Sequence, residues 1–437
     1  MTAEVRAERT FPLRWRRGPV LAVGVAGAAL LAAVGLALSR PDIVAVGLPL
    51  ALSSAWMLFR RPRGGSATIT LRAKPGGASS VPEARGVIDV DADADWMQLA
   101  IEQGGRRTAV ADVSARGEAA TTRTVLRHSG PVELLAVTGR VVAVDGAWIA
   151  DATSPVTLEW RTPPRTRRLG RLPLAPRLTG LHGAHDGSRP GDGGDFRDIH
   201  PFAPGDQLRR IDWRATARAA RRPGELLVRR NQSLSDSSIV IAVDTADDLG
   251  EAVASWGTGD PDRSGATSLD LAREAAASFA TAAIAAGDRV AYHSLSFEGH
   301  SVRSGSGRRH LARVLDTVAA TGLAAEESRY RRSPAVPAGS LIVVLSTFFD
   351  GVAADLATRW RASGHAVLAV DTLPVPDAAR LTRDQRIAMR ALLAERADVL
   401  DELRHTGIEV VSWSSPDVDA ELRVAALRQQ RMRSVRR

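Results

Sequence analysis

The 437-residue chain contains no cysteine. That absence removes disulfides, thiolate zinc sites, iron–sulfur clusters and cysteine nucleophiles in one step. Lysine is nearly missing too: Lys74 stands alone among 58 basic residues, and the rest are arginine. Without a Gly-Lys-Ser/Thr there is no Walker-type phosphate loop. No Gly-x-Ser-x-Gly elbow occurs, so the common serine-hydrolase turn is excluded as well. What remains is ordinary for a folded protein, with 44% hydrophobic and 24% charged residues. At ~100–200 residues per domain, the length allows two or three domains.

The formal charge of +9 is concentrated. Between Arg161 and Arg230 there are 16 arginines and 7 acids, so this stretch carries the whole excess.

Pro19 to Ser39 is uncharged, and Ile43 to Phe59 is a second uncharged run. As a helix the first spans roughly 30 Å, the thickness of a bilayer's hydrocarbon core. A cleaved signal peptide is the alternative, but the length of the first run and the immediate second one favour retention. The expectation is a transmembrane hairpin over 19–60, preceded by a basic cytoplasmic N-terminus over 1–18. Arg6, Arg9, Arg14, Arg16 and Arg17 precede the first run, and Arg60, Arg61, Arg63 and Arg72 follow the second. Positive charge marks the cytoplasmic side. The expected location is therefore the cell membrane, with two helices and a cytoplasmic body.

Residues 66–160 hold alternating segments at 67–72, 86–91, 132–137, 141–144 and 156–160, separated by Gly and Pro turns. This spacing predicts an antiparallel sandwich-like module or small barrel, with no catalytic constellation. A basic linker follows over 161–179. From 236 to 415, apolar strands alternate with amphipathic helices, which predicts a doubly wound, largely parallel α/β sheet. A basic helix over 416–437 closes the chain.

The most distinctive segment is 180–235. Pro204-Gly205-Asp206 is a turn signal, and Asp206 is a candidate helix cap. His182, His185, Asp186, Asp192, Asp195 and His200 read as a polar loop rather than a metal site. Asp195, Asp198, Asp206 and Asp212 would repel phosphate, so nucleic acid is not an expected partner despite the arginines.

Gly193, Phe196, Pro204-Gly205-Asp206, Arg210-Ile211-Asp212-Trp213 and Ala217-Arg218 closely resemble the signature of the family known as domain of unknown function 58. Asp195 stands where that signature has Glu, His200 where it has Arg, and Phe202 where it has Tyr. The resemblance implies a membrane hairpin, a β module, the signature and a von Willebrand factor A-like domain. It also implies partners: an AAA+ ATPase of the MoxR type, and a transglutaminase-like membrane protein. Such systems act in protein assembly, maturation or envelope maintenance.

Von Willebrand A-like domains often hold a divalent cation through Asp-x-Ser-x-Ser and a later Asp. Here the first loop reads Asp244-Thr245-Ala246-Asp247-Asp248, and Ser346-Thr347 ends the later strand. Ala246 lacks the expected hydroxyl, and Thr347 stands where Asp is usual. The expectation is a face that takes no cofactor and no metal, with Asp244, Thr245, Asp247, Asp248, Ser346 and Thr347 as a docking loop. The role expected for the whole chain is a non-enzymatic adaptor, with the Asp206–Trp213 segment ordering the domain junction. The alternatives are a hydrolase using Asp195, Asp206 and Asp212, and an arginine-rich nucleic-acid binder.

Overall fold

The computed structural model describes residues 4–76, 82–104, 107–170, 172–173, 175, 185–204, 206–219, 221–222, 224–235, 237–256, 265–297, 299–325 and 333–435; the side chains at 107, 118–119, 185–195, 197, 232–235 and 429–435 are not described. The chain forms two compact units. One comprises 1–127 with 131–162, and the other 128–130 with 163–437.

In the first unit, β1 (Val5–Pro12) and β2 (Trp15–Arg17) precede two helices, α1 (Pro19–Ala37) and α2 (Pro41–Phe59). Six strands follow: β3 (Ser66–Pro75), β4 (Glu83–Gln103), β5 (Arg107–Val125), β6 (Gly130–Ala143), β7 (Trp148–Ala150) and β8 (Val156–Thr162). They make one eight-stranded sheet along the path β1-β3-β4-β6-β7-β2, with β5 on β4 and β8 on β6. The two ends of that path are consecutive in the chain, joined only by Leu13 and Arg14. Three residue steps span ~10 Å at most, so the sheet must curl back on itself. It does so at β4, which pairs with β3 up to Ala92 and with β6 from Trp96, across a register shift between Asp91 and Trp96. The sandwich expected from strand spacing is therefore a single curled sheet. Spacing shows where strands lie, but pairing is a long-range matter. Ile69, Leu71, Met97, Leu99, Leu134 and Leu158 fill its interior.

The residues before the hairpin are strands, not a free basic arm. Val5, Ala7 and Phe11 alternate with polar residues and pack on the sheet core. β1 pairs antiparallel with β3, Val5 opposite Ala73 and Pro12 opposite Ser66. Both ends of the hairpin thus leave from one sheet, and α1 and α2 must return to the side from which they started. The helices meet through small residues: a Cβ on Gly24 would lie 2.5 Å from Ser54 Oγ, and one on Gly35 would lie 2.5 Å from Val44 Cγ2. Each helix is 19 residues, with mean hydropathy 2.4 and 1.7, long and apolar enough to cross a membrane. Their outward faces are apolar too, with Val23, Leu30, Leu36 and Leu52 exposed.

The second unit opens with a hairpin of β9 (His185–Pro201) and β10 (Leu227–Ser235) around a short helix, α3 (Trp213–Ala219). Then come β11 (Ser238–Val243), α4 (Ser268–Ala285), β12 (Arg289–Ser294), β13 (Ser301–Gly305), α5 (Arg308–Ala320), β14 (Leu341–Ser346), α6 (Val352–Ala362), β15 (Ala366–Asp371), α7 (Arg383–His405), β16 (Glu409–Ser412) and α8 (Val418–Val435). Their six-stranded sheet runs β13-β12-β11-β14-β15-β16, parallel except for β13. Helices cover both faces: α4, α5 and α8 pack on one, and α6 and α7 on the other. Strand order reverses between β11 and β14, the place where open α/β sheets form a crevice at their carboxyl ends.

Asp270 anchors α4. It closes a capping box with Thr267 and also accepts the Ser129 amide at 2.7 Å and hydroxyl at 2.8 Å, while His128 Nδ1 lies 2.6 Å away. Arg273 sits 3.6 Å from the same carboxylate. Burial pushes the Asp270 carboxyl up, but His128 and Ser129 together outweigh it and hold it below the usual range. A depressed carboxyl stabilises the fold above its unfolded value near pH ~4, and that contribution is lost as pH falls through the folded value. Asp270→Asn is expected to lower thermal stability at pH 7 and to flatten the acid limb of the stability–pH curve. Melting from pH 7 to 3 checks this; an unchanged acid limb would refute it.

Candidate functional site

Two clusters lie in the second unit. The first is the row of polar side chains where the central strands end. β11, β14 and β15 are apolar and buried through their interiors, and Asp244, Ser346 and Asp371 stand at or just past their carboxyl ends. Ser346 is paired with Asp371 across β14–β15, and the Asp244 amide donates to the Leu345 carbonyl. Asp244, Ser346 and Asp371 therefore stand side by side.

Their hydrogen bonds are turned inward. Ser346 Oγ donates to Asp244 Oδ2 at 2.5 Å, and the Ala246 amide donates to Oδ1 at 2.9 Å. Thr245 Oγ1 lies 3.4 Å from Ser294 Oγ. Arg396, on α7, donates from Nε to the Thr347 carbonyl at 2.6 Å and forms an ion pair with Asp371. Burial pushes the Asp371 carboxyl up, and Arg396 opposes this without cancelling it. Phe348 is fully buried at φ 58°, a left-handed conformation that a bulky side chain adopts only when its surroundings impose it. Its amide is held by Ser346 Oγ at 2.9 Å.

A divalent cation needs several free oxygens in one shell. Both Asp244 oxygens already accept hydrogen bonds, and a guanidinium occupies the neighbouring strand end. Among the described residues no three acidic or histidine side chains converge. The donor set does not fit a cation. Of the six residues expected to form the docking loop, Asp244, Thr245, Ser346 and Thr347 are buried, and only Asp247 and Asp248 reach the surface. Asp248 Oδ1 accepts the Leu269 amide at 3.2 Å, at the start of α4. Sequence reading passed over Arg396 and Asp371. The available signal was spacing: Arg396 shares the buried stripe of α7 with Leu400 and Leu403, where an arginine needs a buried partner.

The second cluster is the signature segment. Asp206 is a turn residue rather than the cap of a following helix. Its Oδ2 accepts the Ala203 amide at 2.9 Å, and its own amide donates to the Ala203 carbonyl at 3.0 Å. The Ala203 amide holds the Asp206 carboxyl below its ordinary range, helped by Arg230 at 3.5 Å and His200 at 3.4 Å. Asp212 is the residue that caps α3, through the Ala215 amide at 2.9 Å. Glu225 accepts the Arg221 amide at 2.5 Å. Asp206, Asp212 and Glu225 each hold a backbone amide, and Asp206 also meets Arg230.

What faces outward is aromatic and basic. Trp213 is 67% exposed and Leu208 69%. Phe196 is half exposed beneath the Arg229 guanidinium, 5.3 Å from its ring centre. Arg209, Arg214 and Arg218 are exposed, and Arg210 is partly buried at the end of a short 3₁₀ turn. Arg218 sits in the last turn of α3, where a cation suits the helix dipole. Pro204 is exposed, Gly193 lies in β9, and Gly205 and His182 fall outside the described residues, as do the side chains of Asp195, His185, Asp186 and Asp192.

Two outcomes follow. Magnesium titrated into the full chain should give no saturable heat by calorimetry; micromolar binding abolished by Asp244→Ala would refute this. Arg396→Met should destabilise the second unit by about 3–5 kcal/mol, because it strands a buried carboxylate. Denaturant unfolding measures the loss, and a change below ~1 kcal/mol would show the pair to be dispensable.

Residues 198–389 match the family model described as "Protein of unknown function DUF58". The match covers less than half of the chain. It includes Asp206, Asp212, Trp213, Asp244, Ser346 and Asp371, and it stops short of Arg396. No curated protein and no solved structure matches. Over residues 198–389 this chain is similar to that family.

Proposed function

We propose that this protein is a membrane-anchored, non-enzymatic docking protein. In this reading α1 and α2 cross the cell membrane as a hairpin, and the body is cytoplasmic. The second unit is of the von Willebrand A-like kind, without a cation, and recruits a protein partner. The partner that the signature's resemblance implies is an AAA+ ATPase of the MoxR type, with a transglutaminase-like membrane protein as a second. Assembly, maturation or envelope maintenance is the process it would serve.

The observation that carries the reading is Trp213, exposed within the signature and flanked by outward arginines. Trp and Arg are among the residues that most often dominate binding at interfaces. Asp247 and Asp248 extend the docking surface in place of their buried neighbours. A carboxylate-pair hydrolase loses support because Asp206 and Asp212 are each committed to a backbone amide.

Crosslinked capture of the tagged full chain from native membranes tests the partner. An AAA+ ATPase should be enriched, and Trp213→Ala should reduce it roughly tenfold or more. Equal capture by the variant, or no ATPase in either, refutes the docking reading. The hairpin has its own test, made clean by the absence of native cysteine. Ser39→Cys should react with an impermeant maleimide added to intact cells, and Ser114→Cys only after lysis. The reverse pattern would place the body outside.

A further inference from the structure

The first unit contains a cavity of about 540 Å³ at the base of the hairpin. Leu13 and Trp15 line it from the β1–β2 connection, Phe59 from the end of α2, and Arg61, Arg63 and Gly64 from the segment leading to β3. Its walls are stitched by backbone. Trp15 Nε1 donates to the Gly64 carbonyl at 2.9 Å, and the Leu13 amide to Gly65 at 3.0 Å. Gly64 and Gly65, at φ 103° and 119°, let the chain turn back there.

The groups around it are those of a membrane interface. Phe59 is 95% exposed, a position suited to acyl chains rather than to water. Trp148 donates to the Met57 carbonyl at 3.0 Å, with the Arg61 guanidinium 5.5 Å from its ring centre. Arg60 stacks 4.4 Å from the Trp56 ring centre. Arg16 is neutralised by Asp151 at 2.9 Å, but among the described residues neither Arg61 nor Arg63 has an acidic partner. Two arginines without an acidic partner thus line the cavity beside Leu13, Trp15, Phe59 and Pro62.

We infer that this cavity binds the phosphate of an anionic phospholipid. The guanidinia of Arg61 and Arg63 would take the phosphodiester oxygens, which suit the planar donors of arginine. Leu13, Trp15 and Phe59 would take the glycerol backbone and the first methylenes. The volume is in the range of small-molecule sites. The shared chemistry is a phosphate, and the apolar walls select a lipid over a free phosphate. The inference rests on the hairpin crossing the bilayer.

The test uses the full chain in nanodiscs of phosphatidylcholine with phosphatidylglycerol, and native mass spectrometry counts the lipids retained on release. Phosphatidylglycerol should be retained over phosphatidylcholine. Arg61→Gln with Arg63→Gln should cut its occupancy roughly tenfold. Phe59→Ser, which keeps every charge, should also weaken retention. Arg9→Gln with Arg85→Gln, an equal loss of charge on the sheet, should leave it unchanged. Equal retention of both lipids, or equal loss in the control variant, overturns the inference. Saturation by inorganic phosphate or glycerol 3-phosphate without lipid preference overturns the lipid source. Extraction of the wild-type chain by alkaline carbonate would overturn the hairpin and this site together, whereas membrane retention without lipid preference overturns this site alone.

Discussion

Strands buried on both faces carry no polar side chains along their length, and the second unit is organised by that constraint. β11, β14 and β15 are apolar through their interiors because helices cover both sides of the sheet. Polar chemistry is displaced to their carboxyl ends, and parallel strands put those ends together. Asp244, Ser346 and Asp371 are neighbours for this reason alone. Once gathered and buried, they must be paired with something. In this chain the partners are internal: a serine hydroxyl, two backbone amides and the Arg396 guanidinium. The same crevice that could serve a cation is thus closed by the protein's own donors.

A second constraint shapes the first unit. β2 leads into α1 and β3 follows α2, and both belong to one sheet, so both ends of the hairpin start from it. Because the ends of the sheet path are joined by two residues, the sheet curls, and its rim with the hairpin base encloses a basic, aromatic cavity. The placement of the hairpin and of the cavity follows from one topology.

In the signature, three of the acids that alternate with arginines along the chain hold backbone amides. Asp206, Asp212 and Glu225 are taken up by amides that turns and a short helix leave unsatisfied. Such bonds are local and strong, and they compete well against exposed ion pairs. Arg209, Arg214 and Arg218 are exposed around Trp213.

Much was legible from residue order. The two apolar runs are the two helices, the strand–helix alternation after Ser238 is the six-stranded α/β sheet, and the signature marks the DUF58 segment. Those features depend on local periodicity and spacing, which residue order records directly. Some strands stayed hidden because their signal is weak: β5 is rich in Ala and Thr, and β1 lies within a run that reads as basic. Pairing, burial and partner choice were decided by tertiary structure, because they join residues far apart in the chain. Arg396 meets Asp371 across α7 and the sheet, and Ser346 meets Asp244 across 102 positions. Residue order showed which polar groups stand at the strand ends. Only the fold determined that they face one another instead of the solvent, because burial leaves a charged group no option but the partner that the packing supplies.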